Sequence, residues 1–462
     1  MSTTVRTTRI FVASTLYGVA TLAAAMDEGR FEPADRSLLL LCNNASIPET
    51  SPSVDAMPGF EALRGRFDGV LSWNEAIAPF HPGAWVPRLD DVPLWERHLR
   101  LVWGLGDDRV ELVVESIQVS PSLSVCQIFT AAPIDVYADG LMSYGPTRNK
   151  LDPLVGTRVR RLLHPDLVPG LKPLLLTEFG VEAQTLSTDH LLKVFAELAD
   201  LPVAVPPVEA PALLLGQYLS ALGLIEAAQE EELHLRMIRG AVALGHTRLV
   251  FKPHPTAPEQ WAHAMVAEAT ALGAELTVLD SRSGGTRTPG GSLLAEVLYQ
   301  RMRPALVVGC FSTALLTAAV FYGLPVARTG TELLLDRLAP YENSNRVPVT
   351  LVDALLPDLG DAQAVREWSP PSAEHVVERV SPLLHAVGFA MQPRIYPDLR
   401  PAAERYLSRH LGHGTWRYFK RRRLTTLALP GAVPAQLSFI PRSPALRKIA
   451  RRARTLKRAA LG

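Results

Sequence analysis

Short apolar runs alternate with stretches of helical periodicity along most of the chain. The run 9–13 predicts a first strand; Ser14 and Thr15 follow as a loop, and a helix is expected over Tyr17–Met26, ending at Gly29. A second strand, SLLLLCNN (37–44), comes directly after it. GVLSW (69–73), ELVVESI (111–117) and IDVYADG (134–140) have the same strand character, with a helical stretch after Pro121. The pattern is sharper in the second half. ALLLG (212–216), RLVFK (248–252), ELTVLD (275–280), ALVVG (305–309) and PVAR (325–328) predict strands, and helices are expected over 226–244, 258–272, 293–302 and 313–322. Strands separated by helices of ten or more residues make βαβ units and parallel sheets. Nearly continuous apolar runs fit strands covered on both faces. The expected fold class is therefore α/β, with two Rossmann-like doubly wound domains. The proline-rich stretch 201–212 is the natural linker. It divides an N-terminal domain (1–200) from a C-terminal domain (213–390), and a basic C-terminal tail (391–462) follows.

Composition adds exclusions. The chain has 462 residues, 47% hydrophobic and 20% charged, which rules out a disordered chain, a collagen-like repeat and a disulfide scaffold. Three cysteines, Cys42, Cys126 and Cys310, are far apart and lack CxxC spacing. They read as reduced core thiols of a cytosolic protein, with no structural zinc site. No apolar run reaches the ~18–20 residues of a membrane span. Arg6 and Arg9 before IFVASTLYGVATLAAA resemble a signal peptide, but the strand–helix reading continues the downstream alternation and is preferred.

Net charge is +1 and hides an asymmetry. Fifteen Lys or Arg and no Asp or Glu follow Glu404, so the first 404 residues carry 32 basic and 46 acidic side chains, a net of −14. A basic tail on an acidic body points to an anionic partner.

Three short motifs could carry chemistry. In VVGCFSTALLTAAVFYGLP (307–325) a strand turns into a helix with Ser312 at its N-cap and Gly323 at its end. Free N–H groups and the positive helix end at Ser312 and Thr313 suit a phosphate, although caps are common and the motif by itself favours Ser312 as a simple cap. In FKPHP (251–255) two prolines constrain His254 at a strand end, where it could protonate or hold a leaving phosphate; Lys252 adds charge if it points the same way. His81-Pro82 and His164-Pro165 read as background. In VYADGLMSYGP (136–146) Asp139 sits at a strand end, either as a general base or as part of an Asp-Gly turn. Gly216 and Gln217 end the first strand of the second domain. Glu296 either accepts from ribose hydroxyls or simply favours a helix N-terminus. Ser14, Thr15, Asn43 and Asn44 sit at strand ends of the first domain and read as structural. The loop 281–292 lacks P-loop spacing, so ATP use is not supported.

An acidic-Gly motif, then His-Pro, then a Ser-Thr pair, in that order across two domains, resembles the bacterial sialyltransferases of the capsular polysialyltransferase-like family. LVPGLKPLLLTEFG (167–180), LLLGQYLS (213–220) and YENSNRVPVTLVDAL (341–355) agree, and the resemblance covers roughly residues 8–390. It implies a GT-B glycosyltransferase with a CMP-activated nonulosonic acid as donor and a glycan or glycolipid as acceptor. It implies Asp139 as general base, His254, Ser312 and Thr313 on the donor phosphate, and a cytidine close to the backbone at Gly216 and Gln217. The family motif usually has two carboxylates; here Ala138 stands in the first place. The resemblance also implies inversion. No metal is expected, since a departing monophosphate needs little charge neutralised. The teichoic-acid-type CDP-glycerol or CDP-ribitol polymerases, and a non-catalytic glycan-binding protein, are the alternative readings.

The tail reads WRYFKRRR from Trp416 and ends in SPALRKIARRARTLKRAALG, an apolar stripe flanked by basic residues. Residues 416–462 could lie on an anionic membrane surface or dock an anionic acceptor. No nucleic-acid motif is present. The expected location is cytoplasmic, with peripheral contact to the inner membrane face as the tail's contribution.

Overall fold

The computed structural model describes residues 5–202, 205–253, 260–279, 293–412 and 414–432. Two wholly parallel sheets organise it. The first contains β1 (Thr7–Ala13), β2 (Arg36–Leu41), β3 (Gly69–Ser72), β4 (Arg109–Glu115), β5 (Ile134–Tyr137), β6 (Val159–Pro165) and β7 (Glu182–Leu186), in the order β3-β2-β1-β4-β5-β6-β7. The second contains β8 (Ala212–Leu215), β9 (Arg248–Lys252), β10 (Glu275–Val278), β11 (Leu306–Gly309) and β12 (Val326–Arg328), in the order β10-β9-β8-β11-β12. Both orders are doubly wound: the chain builds outward in one direction, then returns to the middle and builds in the other. Two such domains facing each other make the expected GT-B arrangement.

Register places apolar side chains in contiguous layers. Ile10 pairs with Leu38 on one side and Leu112 on the other, and all three are fully buried. The helix α1 (Leu16–Asp27) covers this sheet. It is apolar nearly all round, with Val19, Ala20, Leu22, Ala23 and Ala24 fully buried. A helix with that pattern needs cover on several sides. The sheet provides one, and α2 (Thr188–Ala199) provides another, with Tyr17 stacked on Phe195 at 5.6 Å between ring centres. The stretch that resembled a signal peptide is thus a strand and a core helix.

The strand pattern read from the sequence is present, with two additions. β6 and β7 were not visible as apolar runs. β6 reads VRRLLHP, and its arginines face the buried Asp135 of β5: Arg160 Nε and Arg161 Nη2 donate to Asp135 at 2.8 and 2.9 Å. β7, EAQTL, is an edge strand with mostly polar side chains. His164, on β6, is buried against Tyr144 and takes no part in the cleft.

In the second domain α3 (Ala227–Ala243), α4 (Gln260–Ala271), α5 (Ala295–Met302) and α6 (Thr313–Phe321) connect the strands. Further along, α7 (Ser381–Met391) and α8 (Arg400–His410) pack on each other and return to the first domain. Between them Tyr396 reaches the first domain: its hydroxyl accepts from Thr147 N–H at 2.9 Å and donates to Glu178 Oε2 at 2.7 Å. The basic stretch 416–423 is docked too. Arg417 pairs with Glu332, Lys420 with Asp336 and Arg423 with Glu342, at 2.7, 3.1 and 2.6 Å. These cations already have intramolecular anions. The more basic stretch 433–462, including the terminal amphipathic pattern, lies outside the described residues. Among the described residues, no helix is long and apolar enough to cross a membrane. The three cysteines are free and buried.

Replacing Tyr396 by Phe removes a buried hydroxyl and strands its partners, Thr147 N–H and the Glu178 carboxylate. The expected cost is about 1–3 kcal/mol, read as a lower thermal midpoint by calorimetry. An unchanged midpoint would mean that this link does not hold the C-terminal helices to the first domain.

Candidate active site

A strand order that reverses leaves a crevice at the reversal, because adjacent crossovers leave in opposite directions. In the first sheet the reversal lies between β1 and β4, with β5 next to β4. Their exits carry Ser14 and Thr15, Glu115, and Asp139. In the second sheet it lies between β8 and β11, whose exits carry Gly216 and Ser312. Both crevices open onto one cavity of about 430 Å3. Its lining includes Ser14, Thr15, Tyr17, Asp139 and Gly140 from the first domain, and Gly216, Lys252, Glu296, Ser312 and Thr313 from the second. A larger hollow of about 670 Å3 lies at the exits of β2 and β3. It is away from both reversals, and Glu49, Asp55, Glu61 and Glu75 make it acidic, so it is poorly suited to anionic substrates.

The two domains touch at this cavity. Thr313 Oγ1, at the first residue of α6, accepts from Leu141 N–H at 3.3 Å. Leu141 is two residues beyond Asp139. An imagined Cβ on Gly140 would lie 3.1 Å from the same Thr313 oxygen. Asp139 and the N-terminus of α6 are therefore brought together. Ser312 is the helix N-cap, its side chain accepting from Ala314 N–H at 3.3 Å, and it lines the cavity as well. The capping role and exposure to a ligand coexist at this residue.

The other expected residues divide. Gly216 lines the cavity and donates its N–H to Lys252 O at 2.9 Å, and a Cβ there would sit 2.7 Å from the Phe251 ring. Close packing on Phe251 is reason enough for glycine. Gln217 acts behind the surface: its Oε1 accepts from Phe311 N–H at 2.9 Å and braces the turn before Ser312. Glu296 lines the cavity but is 3% exposed and accepts from the Thr317 hydroxyl at 2.7 Å. Burial pushes its carboxyl above the ordinary range. Thr15 caps α1 by accepting from Gly18 N–H at 2.9 Å. Asn43 is engaged with Asn74 and with the carbonyls of Pro48 and Ser51, in the other hollow, and Asn44 lines neither space. His254 lies outside the described residues; Pro253, directly before it, lines the cavity.

Three residues emerge that the sequence did not single out, or left undecided. Lys252 does face the cavity, and burial lowers its ammonium to about 8, with Glu296 acting to keep it charged. It is still mainly protonated at neutral pH. Tyr17 lines the cavity with a buried hydroxyl that has no hydrogen-bond partner among the described residues. Glu115 stands behind Ser14, its Oε2 accepting from Ser14 N–H at 3.0 Å and from the Ser14 hydroxyl at 2.6 Å. Lys252 was detectable as the residue before Pro253; Glu115 had no local signal beyond its place at a strand end.

The electrostatics are divided across the gap. Burial, with the Glu115 carboxylate nearby, pushes Asp139 up to about 7. A carboxylate with that value can accept a proton near neutral pH. Opposite it are the α6 N-terminus, two hydroxyls and an ammonium, which together suit an anion. Among the described residues no group of three or more metal-ligating side chains occurs.

Residues 9–331 match the model of the alpha-2,8-polysialyltransferase family. No curated protein sequence matches the chain. Among solved structures, the GT-B domain of a Photobacterium damselae sialyltransferase aligns with 75% of this chain and 96% of its own, at 10% identity and a TM-score of 0.38. A Thermobaculum terrenum O-GlcNAc transferase mutant aligns with 90% of this chain and 67% of its own, at 15% identity and a TM-score of 0.36. At those scores neither likeness carries an argument about chemistry.

The raised Asp139 value has a stability consequence. Unfolded aspartate ionises near about 4, so the folded state prefers the protonated carboxyl. Asp139 contributes stability below about pH 4 that is lost as pH rises through about 7. Asp139→Asn is therefore expected to raise the thermal midpoint over wild type at pH 8 and to change it little at pH 4. Thermal melts across that range check this; a lower midpoint at pH 8 would contradict it.

Proposed function

The chain belongs to the alpha-2,8-polysialyltransferase family, and from that premise we propose that this sialyltransferase-like glycosyltransferase moves a nonulosonic acid from its CMP ester to a hydroxyl of a glycan acceptor. The observation that carries the reading is the meeting of the two switch points, with Asp139 on one side of a cavity and the α6 N-terminus on the other.

In this proposal Asp139 removes the acceptor proton as the acceptor oxygen bonds to the anomeric carbon. The bond from that carbon to the phosphate oxygen breaks, and CMP leaves with the electron pair. Attack from the face opposite the departing phosphate inverts the anomeric centre. Ser312, Thr313 and the positive N-terminal end of α6 hold the phosphate, and Lys252 adds a charge-assisted contact. His254, carried over from the family motif, is assigned to the same phosphate. A monophosphate leaving group develops modest charge, which these donors can stabilise without a metal. Gly216 borders the nucleotide side, and Gln217 and Glu296 support the walls there. Residues 433–462 are assigned to an anionic membrane surface, which would bring the acidic body to a lipid-linked acceptor.

Calorimetric titration is expected to give binding of CMP in preference to CDP and UDP, and CMP-sialic acid is expected to be hydrolysed where CDP-glycerol is not. The reverse preference would assign the protein to teichoic-acid-type chemistry. Lys252→Met is expected to weaken CMP binding roughly 10- to 100-fold, the worth of a charged hydrogen bond. Asp139→Asn is expected to leave CMP binding intact and reduce transfer by about 10²–10⁴-fold. Unchanged turnover in Asp139→Asn would remove the base assignment.

A further inference from the structure

We propose that Glu115 is a positioning residue for the transfer reaction, its carboxylate acting on Asp139 across the switch point of the first sheet and on neither substrate directly. This rests on the assignment of Asp139 as the base.

The geometry begins with strand register. Glu115 ends β4 and pairs with Tyr137 of β5, two residues before Asp139. Ser116 N–H donates to Tyr137 O at 2.8 Å and fixes the two exits together. Directly after Glu115 the backbone turns sharply, with Ser116 at φ 59° and Ile117 at φ 53°. Left-handed conformations cost ~1–3 kcal/mol each at non-glycine residues and are least tolerable for a β-branched one. Such a turn persists where the surroundings enforce it, and this one ends β4 at the reversal.

Glu115 does not line the cavity; Ser14 does. Ser14 donates both its N–H and its hydroxyl to Glu115 Oε2, so the carboxylate is clamped one layer back. The titratable groups facing the pair come from each neighbouring element: Tyr137 on β5, Cys42 beyond β2, and Tyr17 on α1, with Glu296 and Lys252 across the cavity. Burial raises both carboxyls, the Glu115 charge adds to the rise at Asp139, and the Ser14 hydrogen bonds oppose the rise at Glu115. Two carboxylates in a desolvated wall resist ionising together, and the second proton leaves the pair late. Asp139 then remains basic enough to take a hydroxyl proton near neutral pH, while the clamp on Glu115 keeps the second charge fixed.

Glu115→Gln tests this, because the amide carbonyl can still accept from Ser14. The acidic limb of the kcat/KM–pH profile is expected to move down by roughly one pH unit, and Glu115→Asp, which keeps the charge, is expected to hold the limb near its wild-type position. A purely structural Glu115 would lower the rate at every pH and leave the limb in place, and that outcome overturns the inference. Carboxyl-band infrared titration of the free protein gives a readout independent of the donor and of the Gln variant's folding. In Asp139→Asn, the Glu115 band is expected to titrate lower than in wild type, by linkage; an unmoved band overturns the inference. If the bands shift but no CMP-sugar is cleaved, the carboxylate coupling stands and the donor assignment falls.

Discussion

A parallel sheet sends every strand out at the same edge, and a reversal of strand order leaves one gap at that edge uncovered. This protein sets two such gaps against each other. Ser14, Glu115 and Asp139 gather at one because β1, β4 and β5 are neighbours there, though far apart in sequence. Gly216 and Ser312 gather at the other for the same reason. The hydrogen bond between Leu141 N–H and Thr313 lies where the two edges meet, and Arg301 Nε adds a bond to Ala199 O at 2.7 Å.

That meeting separates charge usefully. The first domain contributes carboxylates whose ionisation is opposed by burial. The second contributes a helix N-terminus, hydroxyls and an ammonium. Proton acceptance and anion stabilisation are opposite demands, and one domain surface could not satisfy both without the groups neutralising each other. In the proposed reaction, placing them on separate sheets would keep each in its own field, with a substrate spanning the gap.

The C-terminal segments serve this geometry at a distance. Residues 381–410 begin in the second domain's chain order but pack toward the first, and Tyr396 closes that return with bonds to Thr147 and Glu178. The docked basic residues Arg417, Lys420 and Arg423 find acidic partners on the second domain. Part of the charge asymmetry along the chain is therefore internal complementarity, which a running count of charges cannot distinguish from affinity for an outside partner.

The sequence alone determined the alternation of buried strands with helices, because a strand covered on both faces must be apolar throughout and a crossover helix must span its length. It also determined the strand exits where Asp139, Ser312 and Thr313 stand. It left β6 hidden, since Arg160 and Arg161 interrupt the apolar run and a buried Asp135 on the next strand receives both, and β7 hidden because that edge strand is mostly polar. It could not rank Gln217, which braces Phe311, below Lys252, which reaches the cavity. Nor could it pair Glu115 with Asp139. Strand order is a long-range choice, made by packing between segments distant in sequence, and only the folded chain shows which ends become neighbours.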